Sequence, residues 1–241
     1  MNVPITVRPV RRDDLEPLSL LDTAAYARHG IPSMSLAELA AWYEEESPLF
    51  LVAEHENRLC GYYYGRLIRF DVDEDAEAFC APRPEGTWQW DRYPHNPVAE
   101  SAYGICVAAT VPGAGAALNA GIHDVLEHRR VRYYVGISRL SRLDRYVESI
   151  KSLGGELPDE GEIALWYTYQ SADLLHMPIW PACPRRPCVL LPELRRPDPV
   201  LAFHVQGTTF GLLGLLPDYM PDAASRNFGA VIVSEFPHRR P

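Results

Sequence analysis

Ala102-Tyr-Gly-Ile-Cys-Val-Ala108, followed by Pro112-Gly-Ala-Gly-Ala-Ala117, is the stretch on which the fold turns. The first part is apolar enough to be a central strand. The second puts glycines and alanines where the chain leaves that strand. Leu118, Ile122, Val125 and Leu126 then repeat at helical spacing, and Arg129 and Arg130 end the helix where cations suit its dipole. Val131-Arg-Tyr-Tyr-Val-Gly136 reads as another strand. Residues 102–136 therefore form a strand–glycine loop–helix–strand unit with a parallel pair. Small residues let a backbone approach a ligand closely, and a helix N-terminus offers free N–H groups and about half a positive charge. That chemistry suits a diphosphate. A tight turn that merely needs small residues is the other reading.

On the N-terminal side, Ile5-Thr-Val-Arg-Pro9 alternates like a short strand. Asp13-Asp-Leu-Glu16 gives a capping residue with a glutamate three positions on, ahead of Leu15, Leu18 and Leu21. Ser35-Leu-Ala-Glu38 repeats that box and opens a second helix through about Tyr43. Leu49–Ala53 and Cys60–Phe70 make a β-hairpin turned at Glu56-Asn-Arg58. The acidic run Asp71, Asp73, Glu74, Asp75 and Glu77 reads as a solvated loop. It opens a long excursion through residue 100 that carries Trp88, Trp90 and Tyr93.

On the C-terminal side, a helix is expected over Arg139–Tyr146. Seven prolines between Pro178 and Pro199 leave little room for regular structure in residues 156–199, beyond a short Trp166–Tyr169 strand. Asp198-Pro-Val-Leu-Ala-Phe-His204 reads as a capped helix with proline in its first turn. Phe210–Leu216 and Ala230–Val233 supply two closing strands.

Composition narrows the field. The chain has 241 residues, 47% hydrophobic and 23% charged, in the range of a globular protein. With 23 Lys+Arg against 32 Asp+Glu and no basic cluster, nucleic acid is not the expected partner. No apolar run approaches the roughly 20 residues of a membrane span, and the N-terminus has no export pattern, so a soluble cytoplasmic protein is expected. The five cysteines are spaced neither as a zinc site nor as a redox pair, so reduced thiols and no metal are expected. A dinucleotide fold fits badly, because the first strand lacks a glycine loop and only one parallel unit is visible.

The order of elements resembles the GNAT family, the Gcn5-related N-acetyltransferases, which bind acyl-CoA through a loop of pattern Gln/Arg-x-x-Gly-x-Gly/Ala. Pro112-Gly-Ala-Gly115-Ala-Ala117 matches the glycine and Gly/Ala positions, with Pro112 in place of the usual Gln/Arg. Tyr103-Gly, Gly136-Ile-Ser-Arg-Leu140, Asp198–His204, Pro217-Asp-Tyr219 and His95-Asn-Pro97 are similar to a branch fused to nitrilase-like domains or found in polyketide loading modules. Met220 stands where that branch often has arginine, and Thr208-Thr209 replaces a usual glycine.

The resemblance implies a single α/β domain over residues 1–241, with a proline-rich insertion at about 156–197. Its mixed central sheet is expected to splay in a V between the fourth and fifth strands, with helices on both faces. Acetyl-CoA or another acyl-CoA would be the co-substrate. Gly113, Ala114, Gly115, Ala116 and Ala117 would hold its diphosphate, and a backbone N–H near Val107 would polarise the thioester carbonyl. Contributions of that oxyanion type run to about 2.7–4 kcal/mol. A nucleophile then attacks directly once oriented.

His204 lies where many relatives carry the tyrosine that protonates the leaving thiolate, and an imidazole can do the same, or it is a helix histidine filling a partly buried position. Ser138 matches a Ser/Thr position near the acyl group, or caps the following helix. Arg139 holds an anion or makes a salt bridge; Tyr219 lines the acyl pocket or packs at a strand end. Trp88, with Trp90, Trp166 and Trp180, roofs an acceptor cleft or anchors loops. No general base is assignable; Glu100, His95 and Glu54 are candidates, or plain surface groups. Three functions follow: an N-acyltransferase acting on a small-molecule acceptor, a malonyl-CoA decarboxylase and acyl loader serving an acyl carrier protein in polyketide biosynthesis, and a non-catalytic CoA-binding module.

Overall fold

A computed structural model describes residues 4–27, 30–82, 84, 87–154, 157–189, 191–205 and 208–236. The chain begins with β1 (Thr6–Pro9), α1 (Leu15–Tyr26), α2 (Leu36–Glu44), β2 (Phe50–His55), β3 (Arg58–Ile68) and α3 (Val72–Cys80). It continues through β4 (Ser101–Ala109), α4 (Ala114–His128), β5 (Tyr133–Arg139), α5 (Leu143–Lys151) and α6 (Glu160–Leu174). It closes with α7 (Pro199–Val205), β6 (Gly211–Leu216) and β7 (Gly229–Glu235). The strand order is β1-β2-β3-β4-β5-β7-β6. With β5 parallel to β4, the sheet is mixed, as the α/β reading requires. The described residues group into two compact units, one from 4–70, 92–134 and 236, the other from 71–91 and 135–235.

The first unit is an antiparallel β1–β4 ladder with helices on both faces. On one face α4 lies close: a Cβ on Gly121 would meet Val7 Cγ1 at 2.8 Å, and one on Gly61 would meet Leu118 Cδ1 at 3.1 Å. Side chains alternate along a strand, so Tyr62 and Tyr64 point to the other face, toward α1 and α2. There Trp42 of α2 stacks on Tyr64 with centroids 4.1 Å apart and planes 6° apart. Leu15, Leu18 and Leu21 of α1 are buried as their spacing predicts. The box at Ser35–Glu38 forms, with Glu38 N donating to Ser35 Oγ at 3.2 Å and Ser35 N to Glu38 Oε2 at 2.8 Å. The box expected at Asp13 does not. Asp14 instead accepts from Arg11 N at 2.6 Å and from the Arg8 guanidinium.

In the second unit β6 and β7 pair antiparallel, and Gly229 lies so close under β5 that a Cβ there would meet Ile137 Cγ2. The acidic run is not a solvated loop. It is α3, capped by Asp71, which accepts from Asp73 N at 2.9 Å; Val72, Ala76 and Phe79 are buried while the carboxylates line the outer face. Nor is Trp166–Tyr169 a strand. It lies in the fifteen-residue α6, capped by Asp159, which accepts from Glu162 N at 3.0 Å. Every proline of the cluster falls after that helix, so nothing interrupts it, and Ile163, Ala164, Tyr167, Thr168, Ser171 and Ala172 form one buried stripe. The described residues within 178–197 do lack helix and strand apart from a bridge of Ile179 to Leu212. Tyr146 Oη ties this stretch down by donating to Pro192 O at 2.6 Å, and Leu212 N donates to Pro178 O at 2.8 Å.

Candidate acyl-CoA site

Residue pairing between β3 and β4 slips at the middle of β4. Tyr64 pairs with Cys106 and Gly65 with Gly104, so Ile105 is an extra residue, a β-bulge. The consequence for Val107 follows from strand geometry. Gly65 N donates to Leu49 O, on the β2 side of β3. Two residues back, Tyr63 also turns its peptide groups toward β2, so its partner Val107 faces it without hydrogen bonds. The Val107 N–H and C=O are thereby turned to the edge of β4 away from β3.

β4 then runs into the glycine loop. Gly113 is the N-terminal cap of α4 and has φ 89°, a left-handed conformation that a side chain would strain. Ala114 N donates to Val111 O at 3.1 Å and Ala117 N to Gly113 O at 3.0 Å. The N–H groups of Gly115 and Ala116 between them have no acceptor among the described residues. Both open toward the positive end of a fifteen-residue helix. Ala114 and Gly115 are buried, whereas Pro112, Gly113 and Ala116 are exposed. The six residues expected to hold the cofactor thus lie together on one strand–loop–helix segment of the first unit.

Around the bulge α1 adds a network that the sequence did not announce. Tyr26 Oη donates to Val107 O at 2.7 Å and lies 3.4 Å from Cys106 Sγ. Tyr62 Oη lies 3.1 Å from the same sulfur and donates to the fully buried Asp22, which also accepts from Met34 N at 2.6 Å. Burial pushes the Asp22 carboxyl up and the Cys106 thiol up to about 11, so the sulfur is a neutral thiol. Asp22 and Tyr26, one helical turn apart, were the available signal.

Ser138, Arg139, Tyr219, Trp88 and His204 lie in the second unit. Ser138 is fully buried within β5 and donates to Arg139 O at 3.3 Å. It does not cap a helix. α5 starts later, and Asp198 takes the adjoining donors, Arg142 N at 3.0 Å and Ser141 Oγ at 3.3 Å. Arg139 is spent on Asp222, so the salt-bridge reading holds. Tyr219 is buried against Gly229, and Trp88 stacks on the buried Trp90 at 4.6 Å. His204 lies in α7, which Asp198 caps by accepting from Val200 N at 2.9 Å. Burial pushes the imidazole down to about 4, so at neutral pH it carries no proton to give up as an imidazolium.

The candidate bases fare unevenly. Glu54 is held 2.6 Å from Arg8 Nη2, and that hydrogen bond lowers its pKa. His95 Nδ1 accepts from Leu67 N at 3.3 Å, and burial pushes the ring's pKa down. Glu100 is exposed.

No family model matches the chain, and no curated protein sequence is similar to it. Solved structures do share its fold. The GphF GNAT-like decarboxylase in complex with isobutyryl-CoA superposes with TM-score 0.66 at 18% identity, covering 95% of this chain and 98% of that one. The loading GNATL domain of CurA from Lyngbya majuscula gives 0.61 at 14% identity, over 96% and 98%. The ribosomal-protein-alanine N-acetyltransferase from Brucella melitensis gives 0.51 at 14%, over 96% and 99%. The chain has the GNAT fold. Among its described residues, no helix is long and apolar enough to cross a membrane.

Proposed function

We propose that this protein is an acyl-CoA-dependent acyltransferase of the GNAT type, passing the acyl group of acetyl-CoA or another acyl-CoA directly to a small-molecule amine. The observation that carries the reading is one continuous segment: a Val107 peptide turned to the edge of β4 away from β3, beside a β-bulge, followed by two unengaged amides at the start of α4. The amides of Gly115 and Ala116, with the helix dipole, receive the diphosphate. The Val107 N–H receives the thioester carbonyl oxygen, where negative charge develops as the amine attacks. Collapse of that intermediate breaks the C–S bond, and the proton lost by the attacking amine nitrogen ends on the CoA thiolate, giving amide and free CoA. Cys106, a neutral thiol turned toward Tyr26 and Tyr62, forms no covalent intermediate. His204, kept neutral by burial, can offer a reaction an N–H but no imidazolium proton.

A second reading is decarboxylation of malonyl-CoA and loading of the acyl group onto an acyl carrier protein, with His204 and Ser138 steadying the enolate. It is favoured by the better superposition on the decarboxylase and loading domain, 0.66 and 0.61, than on the N-acetyltransferase, 0.51. Against it stands Met220 in the place of an arginine that would grip the malonyl carboxylate. Incubation with acetyl-CoA or malonyl-CoA and a panel of amines, followed by mass spectrometry, separates the two. Acylated amine with free CoA supports the first reading, acetyl-CoA and CO₂ from malonyl-CoA the second. Binding of CoA without turnover of either contradicts both.

A further inference from the structure

We infer that Tyr26 is a positioning residue for the thioester, holding the Val107 backbone in the orientation that receives the carbonyl; the inference rests on the acyl-CoA reading above. In an extended strand, the N–H and C=O of one residue point to the same edge. The two groups belong to adjacent peptide planes that meet at the Val107 Cα, so a hold on the C=O restrains the N–H through that one residue's φ and ψ. Tyr26 Oη lies 2.7 Å from Val107 O and 3.4 Å from Cys106 Sγ, so it touches both residues joined by the peptide that carries this N–H. A bulge needs such a grip. Ile105 interrupts the regular pairing, which resumes at Cys106, and the Val107 groups face the edge that β3 does not reach, so Tyr26 supplies a hold there that β3 does not.

Tyr26 is in turn held by what lies behind it. Tyr62 Oη stands 3.1 Å from Cys106 Sγ on the far side and donates to Asp22, itself one turn before Tyr26 in α1. Asp22 takes a second bond from Met34 N, so its carboxylate ties α1, the segment before α2 and β3 together. The sequence Asp22, Tyr62, Cys106, Tyr26, Val107 is thus a closed chain of contacts from helix to strand and back. Nothing in the diphosphate loop takes part in it. Acyl alignment and cofactor affinity are therefore separable.

The test uses acetyl-CoA labelled with carbon-13 at the carbonyl. Infrared difference spectra of the bound thioester report its polarisation, and calorimetry reports affinity. In the wild-type protein the bound carbonyl stretch shifts to lower frequency. Tyr26→Phe should bind CoA within about twofold of wild type, lose most of that shift, and lower kcat roughly tenfold, since orientation and one aligned donor set the rate. Cys106→Ser, which keeps a polar partner for both phenols, should retain the shift. A wild-type shift that survives unchanged in Tyr26→Phe overturns the positioning role. Equal loss of CoA affinity and shift makes Tyr26 merely structural and also overturns it. If the wild-type protein binds no acetyl-CoA, the acyl-CoA reading itself fails and takes the inference with it.

Discussion

Arg139 closes its guanidinium on both carboxylate oxygens of Asp222, with Nε 2.9 Å from Oδ2 and Nη2 3.0 Å from Oδ1. Asp222 is fully buried and Arg139 nearly so. Asp222 also accepts from Ala224 N at 3.1 Å and receives Asn227 N at its backbone oxygen, so the pair anchors the turn between β6 and β7 to the end of β5. The cation is therefore engaged in folding and is not held ready for a substrate anion.

Removing one partner of such a pair leaves a buried charge uncompensated. Arg139→Ala should destabilise the protein by about 3–5 kcal/mol in chemical denaturation. Arg139→Ala with Asp222→Asn should recover part of that loss, because no buried charge then remains. A double variant no more stable than Arg139→Ala contradicts this account.

His204 predicts a pH signature. Its native pKa is about 4 against an ordinary value of about 6.5, so between those values the unfolded chain binds the proton and the native protein does not. The stability due to the neutral ring is fully present above about pH 6.5 and is lost as pH falls toward 4. Discounted for its partial exposure, the loss is at most about 3 kcal/mol. His204→Gln should flatten the stability profile between pH 6.5 and 4.5, measured by urea denaturation. The same value predicts that kcat of the wild type shows no histidine-like step between pH 6 and 7.5.

Much of the fold was legible because local patterns agreed with tertiary ones. The Ser35–Glu38 box, the central strand at 102–108 and the helix cap at Asp198 each carried its own chemistry in adjacent residues. Two readings failed where one kind of signal masked another. Charge in residues 71–77 hid the spacing of Val72, Ala76 and Phe79, and the proline cluster after Met177 obscured a helix that ends before it. The site divides the same way. The glycine loop was readable, since left-handed φ at Gly113 and small side chains leave a mark in sequence. The Asp22–Tyr62–Cys106–Tyr26 network was not, because it joins a helix, a hairpin strand and the bulged strand through contacts far apart along the chain.

Charge at the start of α4 separates folding from binding. Ala116 is exposed in the first turn, where an acidic side chain favours the helix dipole by about 0.3–1 kcal/mol. Ala116→Asp should therefore leave thermal stability unchanged or slightly raised. The same carboxylate repels a diphosphate and competes for the amides, so affinity for CoA should fall at least about tenfold, or about 1.4 kcal/mol. A variant that binds CoA as well as wild type counts against the loop.

The central claim is that the amides of Gly115 and Ala116 receive the diphosphate of coenzyme A. Nitrogen-15 NMR of the labelled protein titrated with CoA tests it most directly. The account predicts that these two amide protons move downfield together, saturating with the calorimetric affinity, while amides in β6 and β7 stay still. Saturable CoA binding that leaves both resonances unmoved would contradict it.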